Sequence, residues 1–230
     1  MDFIFMLTRG DKTVEDCLEL FDLIAPLGLR HVGFKDVGVP FDVLEKLTAK
    51  IRASGATSYL EVVSTSKESC LRSAQLGRDL GIDRLLGGAD VEEILTILKG
   101  SRTAYYPFPG RPHGHPTQLA GSPADVEEQC WAFRKAGCPG VDLLAYRSTD
   151  ADPIEMVKAA RRGLQGGYLI VAGSVTSIDR IRAIKDAGAD AFTIGTAVFD
   201  GSYSPRNGSI LSQLGAVVSD CQSLGLRQSA

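Results

Sequence analysis

The sequence predicts an α/β protein, a single (β/α)8 barrel over residues 1–230, and three observations carry that prediction. Eight short apolar runs alternate with eight helix-period stretches, and strict strand–helix alternation demands parallel pairing with right-handed crossovers. At 230 residues the chain is close to the roughly 250 typical of one such barrel, and no composition shift or low-complexity stretch marks a linker. The anion-binding signals, Gly173-Ser174 and Gly195-Thr196, come last, where barrels carry their phosphate turns. The competing open, doubly wound sheet would have a GxGxxG run in its first turn, and this chain has none there.

In chain order, the first strand is expected over residues 3–7, followed by the polar turn Thr8-Arg9-Gly10-Asp11. A helix over 13–25 then places Val14, Cys17, Leu18, Phe21 and Ile24 at three-to-four spacing. The second strand, 30–34, runs into Lys35-Asp36, and Pro40 opens a helix over 41–54 at a position where its missing N–H costs little. The third strand, 58–63, contains Glu61 and leads through Ser64 to a helix that stops near residue 80. A short fourth strand, 83–86, and a helix over 91–99 precede the fifth strand, 103–108. Residues 109–121 then read as the longest irregular segment, and loops of that length in compact domains are often functional. A helix over 123–137, a strand over 140–145 and a helix from Asp152-Pro153 to 163 follow. The runs 168–172 and 191–194 lack polar alternation, as parallel strands buried on both faces do, and the helix-period stretch between them completes a βαβ unit. An irregular loop over 200–208 precedes a last helix, 209–221. Trp131, Phe133 and Met156 fall at the helical spacing of core packing.

Each of the last two strands ends in a glycine followed by a hydroxyl residue. Two such turns side by side offer free backbone N–H groups suited to a phosphate dianion, which makes Gly173, Ser174, Gly195 and Thr196 its expected holders. The paired turns resemble the phosphate-gripping half of the ribulose-phosphate-binding group of TIM barrels. That group includes the phosphoribosyl isomerase of histidine biosynthesis, indole-glycerol-phosphate synthase, N-acetylmannosamine-6-phosphate epimerase and thiamine-phosphate synthase. The resemblance covers about a seventh of the chain and is shared by several chemistries, so it implies a fold and a phosphorylated ligand and leaves the reaction open. The histidine-pathway isomerase would call for aspartates ending strands one and five; here Asp11 comes a few residues late and strand five ends in Tyr105-Tyr106-Pro107-Phe108.

In a barrel the site gathers at the carboxyl ends of the strands. Lys35 stands at an otherwise apolar strand end, where partial desolvation would lower its pKa and suit it to a Schiff base or to general acid work. Glu61, in the apolar run YLEVV, is expected beside it, because strands two and three are neighbours. The pair supports proton transfer through an enediol or carbon–carbon cleavage through an imine on Lys35; an internal ion pair filling the barrel's polar layers is the other reading. Asp11 is the third catalytic candidate, or else caps the first helix. Arg9, Arg111, His113, His115 and Arg147 are the expected substrate-binding residues. The segment with Arg111, His113 and His115 reads as a lid or a subunit contact, while Arg147 either orients substrate with Tyr146 or pairs with Asp150 or Asp152. The HxH pair lacks converging ligands, since His31 opens strand two at the opposite end, and no metal is expected.

A net charge of −3 and a pI near 5.7 give no reason to expect nucleic acid. Five dispersed cysteines without CxxC spacing argue against a disulfide framework or structural zinc and fit a reduced cytoplasm. No apolar run suits a signal peptide or a membrane span, so no membrane partner is expected; a homo-oligomer is compatible with the sequence. The expectation is a cytoplasmic, cofactor-independent isomerase or epimerase acting on a small phosphorylated sugar. Two alternatives stay open: a class I Schiff-base aldolase or lyase on a phosphorylated keto-substrate, and a non-catalytic phosphate-ligand sensor resembling the glycerol-phosphate-responsive antiterminators.

Overall fold

A computed structural model describes residues 1–63 and 66–226. Ser64 therefore lies outside the described residues. Eight parallel strands, β1 (Asp2–Met6), β2 (His31–Lys35), β3 (Thr57–Glu61), β4 (Arg84–Leu86), β5 (Ala104–Tyr106), β6 (Gly140–Leu143), β7 (Tyr168–Val171) and β8 (Ala191–Ile194), pair in the order β6-β7-β8-β1-β2-β3-β4-β5. The remaining seam, between β5 and β6, is bridged where Asp142 N–H donates to the Pro107 carbonyl at 3.0 Å. The chain is a (β/α)8 barrel.

Side-chain alternation along each strand divides the core in two. Outward residues such as Val32, Phe34, Val141 and Leu143 pack with the helices, and inward residues, including Ile4, Met6, Tyr59, Tyr106 and Ile170, fill the barrel. On β2 the inward positions are His31, Gly33 and Lys35. Gly33 has no side chain because the Met6 sulfur occupies the place its Cβ would take. The helices α1 (Cys17–Ile24), α2 (Phe41–Ala53), α3 (Lys67–Leu80), α4 (Val91–Leu98), α5 (Pro123–Ala136), α6 (Pro153–Leu164) and α7 (Ile178–Asp186) follow their strands in turn. A short helix, α8 (Thr196–Phe199), and a closing one, α9 (Ile210–Ser223), complete the ring. Several starts are fixed by side chains accepting orphan N–H groups: Ser122 from Asp125 on α5, Asp152 from Ile154 and Glu155 on α6, and Ser177 from Arg180 on α7.

Four local expectations are corrected. The turn after β1 is a β-hairpin, Thr8–Arg9 against Lys12–Thr13, so α1 starts at Cys17 rather than at residue 13. Residues 109–121 are not irregular: Arg111–His113 pairs antiparallel with Gln118–Ala120, anchored by the fully buried Leu119. The strand predicted over 140–145 stops at Leu143, and a 3-10 turn, Ala145–Arg147, takes over. Met156 is buried, but Trp131 is 47% exposed, with the Lys135 ammonium 5.3 Å from its ring centre.

The amino-terminal end of the barrel is closed by an aromatic and ionic plug. The Arg84 guanidinium lies 5.3, 5.6 and 4.7 Å from the ring centres of Tyr59, Tyr106 and Tyr168. Tyr168 donates its hydroxyl proton to Asp2 at 2.6 Å, and the Tyr59 hydroxyl meets His31 Nδ1 at 3.0 Å. Burial, against the attraction of Asp2, pushes the His31 pKa down from 6.5 to about 4. The folded state thus favours neutral His31, a contribution fully present above pH 6.5 and lost as pH falls towards 4. Urea unfolding of wild type should show this loss across that window, and the His31→Gln protein should lack it; parallel pH profiles for the two would contradict it.

Candidate active site

With the lower end sealed, a cavity of about 480 Å3 opens among the carboxyl ends of the strands. Its floor is charged. Lys35, the last residue of β2, is 5% exposed, and its Nζ donates to Asp11 Oδ1 at 2.7 Å and lies 3.2 Å from Glu61 Oε1. Glu61 ends β3 in direct register with Lys35. Asp11 arrives by a different route. It sits at the tip of the β1 hairpin, where Gly10 and Asp11 both take left-handed backbone conformations (φ 56° and 60°), the two-residue turn that matches strand twist. The turn brings the carboxylate back over the barrel mouth, 7% exposed. Asp11 caps no helix, since Asp16 flanks α1. Thr13, on the hairpin's return strand, locks the arrangement: its Oγ1 donates to the Lys35 carbonyl and accepts from the Lys35 N–H, both at 2.8 Å.

The electrostatics correct the expectation of a lysine with a lowered pKa. Burial opposes the Lys35 ammonium, but Glu61 and Asp11 outweigh it and raise the pKa above the ordinary lysine value. Asp11 responds in kind: burial raises its pKa, Lys35 and then Arg147 lower it further, and the balance falls from 3.8 to about 2. Arg147, from the turn after β6, places its two terminal nitrogens 3.3 and 3.4 Å from the Asp11 carboxylate and donates to the Thr117 carbonyl at 3.1 Å. Asp150 and Asp152 are engaged elsewhere, by Gly121 N–H and by the start of α6.

The upper wall holds the two hydroxyl turns. Gly173 and Ser174 both have positive φ, 75° and 58°, a conformation strained for serine, which tips the turn into the cavity. A Cβ on Gly173 would overlap the Arg147 side chain, so glycine is needed for Arg147 to reach Asp11. Gly195 is similarly closed in, with Thr8 Oγ1 only 2.7 Å from where its Cβ would lie. The Thr196 hydroxyl faces the hairpin and accepts from Gly10 N–H at 3.4 Å. No hydrogen bond among the described residues occupies the N–H groups of Ser174 or Val175.

Four other residues singled out in the sequence, Arg9, Arg111, His113 and His115, stand apart from the cavity. Arg9 is exposed on its hairpin. Arg111, His113 and His115 are exposed on the second hairpin, and Arg111 lies 3.5 Å from Asp125. That hairpin presents Pro116, Thr117 and Gln118 to the cavity instead. The Tyr146 ring lines the cavity, but its hydroxyl donates to the Arg180 carbonyl at 3.2 Å.

Two residues the sequence reading does not single out belong to the site. Arg180, on α7, stacks 4.6 Å from the Tyr146 ring centre and donates to the Ser174 carbonyl, clasping the strained turn from behind. Asp142, on β6, is fully buried below the floor, and its signal was a lone carboxylate within Val141-Asp142-Leu143, of the kind Glu61 shows. Among the described residues no group of three or more His, Cys, Asp or Glu is placed to hold a metal ion, and no helix is long and apolar enough to cross a membrane.

No protein-family model matches the sequence, and no curated protein matches it. Solved structures do. An orotidine 5'-phosphate decarboxylase from Pyrococcus horikoshii superposes with a TM-score of 0.66 at 10% identity, covering 96% of this chain and 99% of that one. A protein described as a deoxyribose-phosphate aldolase from Coccidioides immitis gives 0.62 at 12% identity over 90% of this chain and 83% of its own. A mandelate oxidase with an FMN adduct gives 0.61 at 13%, over 97% and 75%. Likeness at these identities shows the shared barrel fold.

The ion cluster makes a quantitative demand. The stabilisation from Asp11 is present above pH 3.8 and lost as pH falls towards 2, because its folded pKa lies below the unfolded one. Asp11→Asn leaves Lys35 and Arg147 short of a buried partner and should cost about 3 kcal/mol at neutral pH, with a flatter acid limb, by urea unfolding. An unchanged urea midpoint would contradict the buried pairing.

Proposed function

We propose that this barrel is an enzyme that shifts a proton at the carbon beside the carbonyl of a small phosphorylated sugar, to the adjacent carbon in an aldose–ketose isomerisation or to the opposite face of the same carbon in an epimerisation. The observation that carries the reading is the fixed Lys35 ammonium, held between Asp11 and Glu61 on the floor of a cavity whose upper wall is two hydroxyl turns. The turns at Gly173-Ser174 and Gly195-Thr196 take the phosphate, through backbone N–H groups and hydroxyls, and hold the other end of the substrate over the floor. Glu61 as carboxylate then removes a proton from the carbon beside the carbonyl. The C–H electron pair becomes a carbon–carbon double bond, and the carbonyl oxygen, gaining negative charge, takes a proton from the Lys35 ammonium. Return of the Glu61 proton to the neighbouring carbon, and of the enediol proton to Lys35, completes the transfer with no cofactor. Asp11 holds Lys35 and its charge in place, and Arg147 holds Asp11.

The raised Lys35 pKa favours this reading over imine chemistry, because an amine that stays protonated at neutral pH is a poor nucleophile. The test is incubation with a panel of phosphorylated sugars and keto-acids in D2O, alongside borohydride reduction read by intact mass. The expected result is deuterium incorporation into one panel member, lost by about 10²–10⁴-fold in Lys35→Met, with no borohydride-dependent mass gain. Ser174→Asp, which sets a carboxylate in the phosphate turn, should abolish ligand protection against melting, whereas Lys35→Met should retain it. A Lys35-dependent mass gain would make the protein a class I lyase. Protection with neither exchange nor mass gain would make it a ligand sensor.

A further inference from the structure

Asp142 is 0% exposed, and neither of its carboxyl oxygens has a hydrogen-bond partner among the described residues. Its neighbours Val141 and Leu143 pack outward, so alternation turns Asp142 into the barrel, where its register partner Ile170 belongs to the interior cluster. The charged groups that act on it are Glu61 from β3, Lys35 from β2 and Arg147 from the turn after β6; its register partner on β7 is Ile170, and its own N–H meets the Pro107 carbonyl just past the end of β5. Both cations are committed elsewhere. Lys35 goes to Asp11 and Glu61, and Arg147 to Asp11 and the Thr117 carbonyl. A carboxylate buried without a paired cation or a hydrogen bond from the described residues neutralises itself instead. The count agrees, since Asp11 and Glu61 already balance Lys35 and Arg147, and the cluster is neutral when Asp142 keeps its proton.

We propose that Asp142 is a neutral carboxylic acid in the resting protein and a positioning residue for Lys35: by withholding a further negative charge from the interior, it leaves the ammonium between Asp11 and Glu61 at the cavity floor. Burial, and then the Glu61 carboxylate, push its pKa well above the usual carboxylate range against the pull of Lys35 and Arg147. The inference rests on the proton-transfer reading above for its role in catalysis, and on geometry for the neutral state. During turnover Glu61 and Lys35 exchange protons with the substrate, and Asp142 retains its own. Once it ionises at high pH it competes for the Lys35 ammonium, and proton transfer slows.

Infrared spectra of the intact protein, collected from about pH 5 to about pH 9, test the neutral state without turnover. The wild type should show the carbonyl stretch of a protonated carboxylic acid at neutral pH, and Asp142→Asn should lack it. Glu61→Gln keeps Asp142 and removes the like charge, so the band should persist and be lost at a lower pH than in wild type. The rate of deuterium exchange into substrate should fall on the alkaline side as the wild-type band disappears, and Asp142→Asn should lack that alkaline fall. Absence of a neutral-acid band from wild type overturns the proposal, even where exchange occurs. The same alkaline limb in both proteins overturns the positioning role. A band without exchange on any panel member leaves the neutral acid standing and removes the catalytic reading instead.

Discussion

The contact on which the upper half of this barrel depends is the Lys35 ammonium held between Asp11 and Glu61. It ties together three stretches of chain that no single element could join. Glu61 is fixed by strand register, Asp11 by a left-handed hairpin tip, and Lys35 itself by the Thr13 hydroxyl bridging its backbone. Arg147 extends the network to the turn after β6, and Gly173 is glycine because Arg147 passes beside it. The charge cluster and the turn proposed to hold phosphate therefore share a wall. A displacement of Arg147 would disturb both, which gives the site the rigidity that proton transfer between fixed groups requires.

The two ends of the barrel solve the problem of inward polar groups differently. At the amino end, Arg84 is sandwiched by three tyrosines, and two of their hydroxyls are satisfied in turn, Tyr168 by Asp2 and Tyr59 by His31. That end is filled. At the carboxyl end the charges face an open cavity, and the Asp142 carboxyl below them has no hydrogen-bond partner among the described residues. Buried groups that are satisfied make a core specific, whereas an unsatisfied one beside an ion cluster is the kind of departure expected where function constrains the chain.

The sequence made the fold legible because its signals are local: eight apolar runs, eight helix-period stretches and the paired turns at the end of the chain. Lys35 and Glu61 were legible for the same reason, as lone charges in apolar strands. Asp142 has that signature too, but that its carboxyl finds no hydrogen-bond partner among the described residues becomes visible only when the interior is assembled. Asp11 reads equally as a helix cap until the positive φ values at Gly10 and Asp11 turn it back over the barrel. Arg180 leaves no trace in the spacing, because it reaches Ser174 from the first turn of the following helix. The Arg111, His113 and His115 segment shows the converse: its residue types suggest a site, yet strand alternation buries Leu119 and leaves Arg111 and His113 exposed, with His115 exposed in the turn between the strands.

The proposed reaction requires one cavity to join a phosphate grip to the Lys35 cluster. A crystal structure of the protein with a phosphorylated ketose, or with a non-isomerisable analogue of one, tests it most directly. The phosphate is expected at the Ser174 and Thr196 turns and the carbonyl or its analogue oxygen at Lys35 Nζ, with Glu61 facing the adjacent carbon. Phosphate bound on the outer hairpin at Arg111 and His113, with no ligand atom near Lys35, would contradict it.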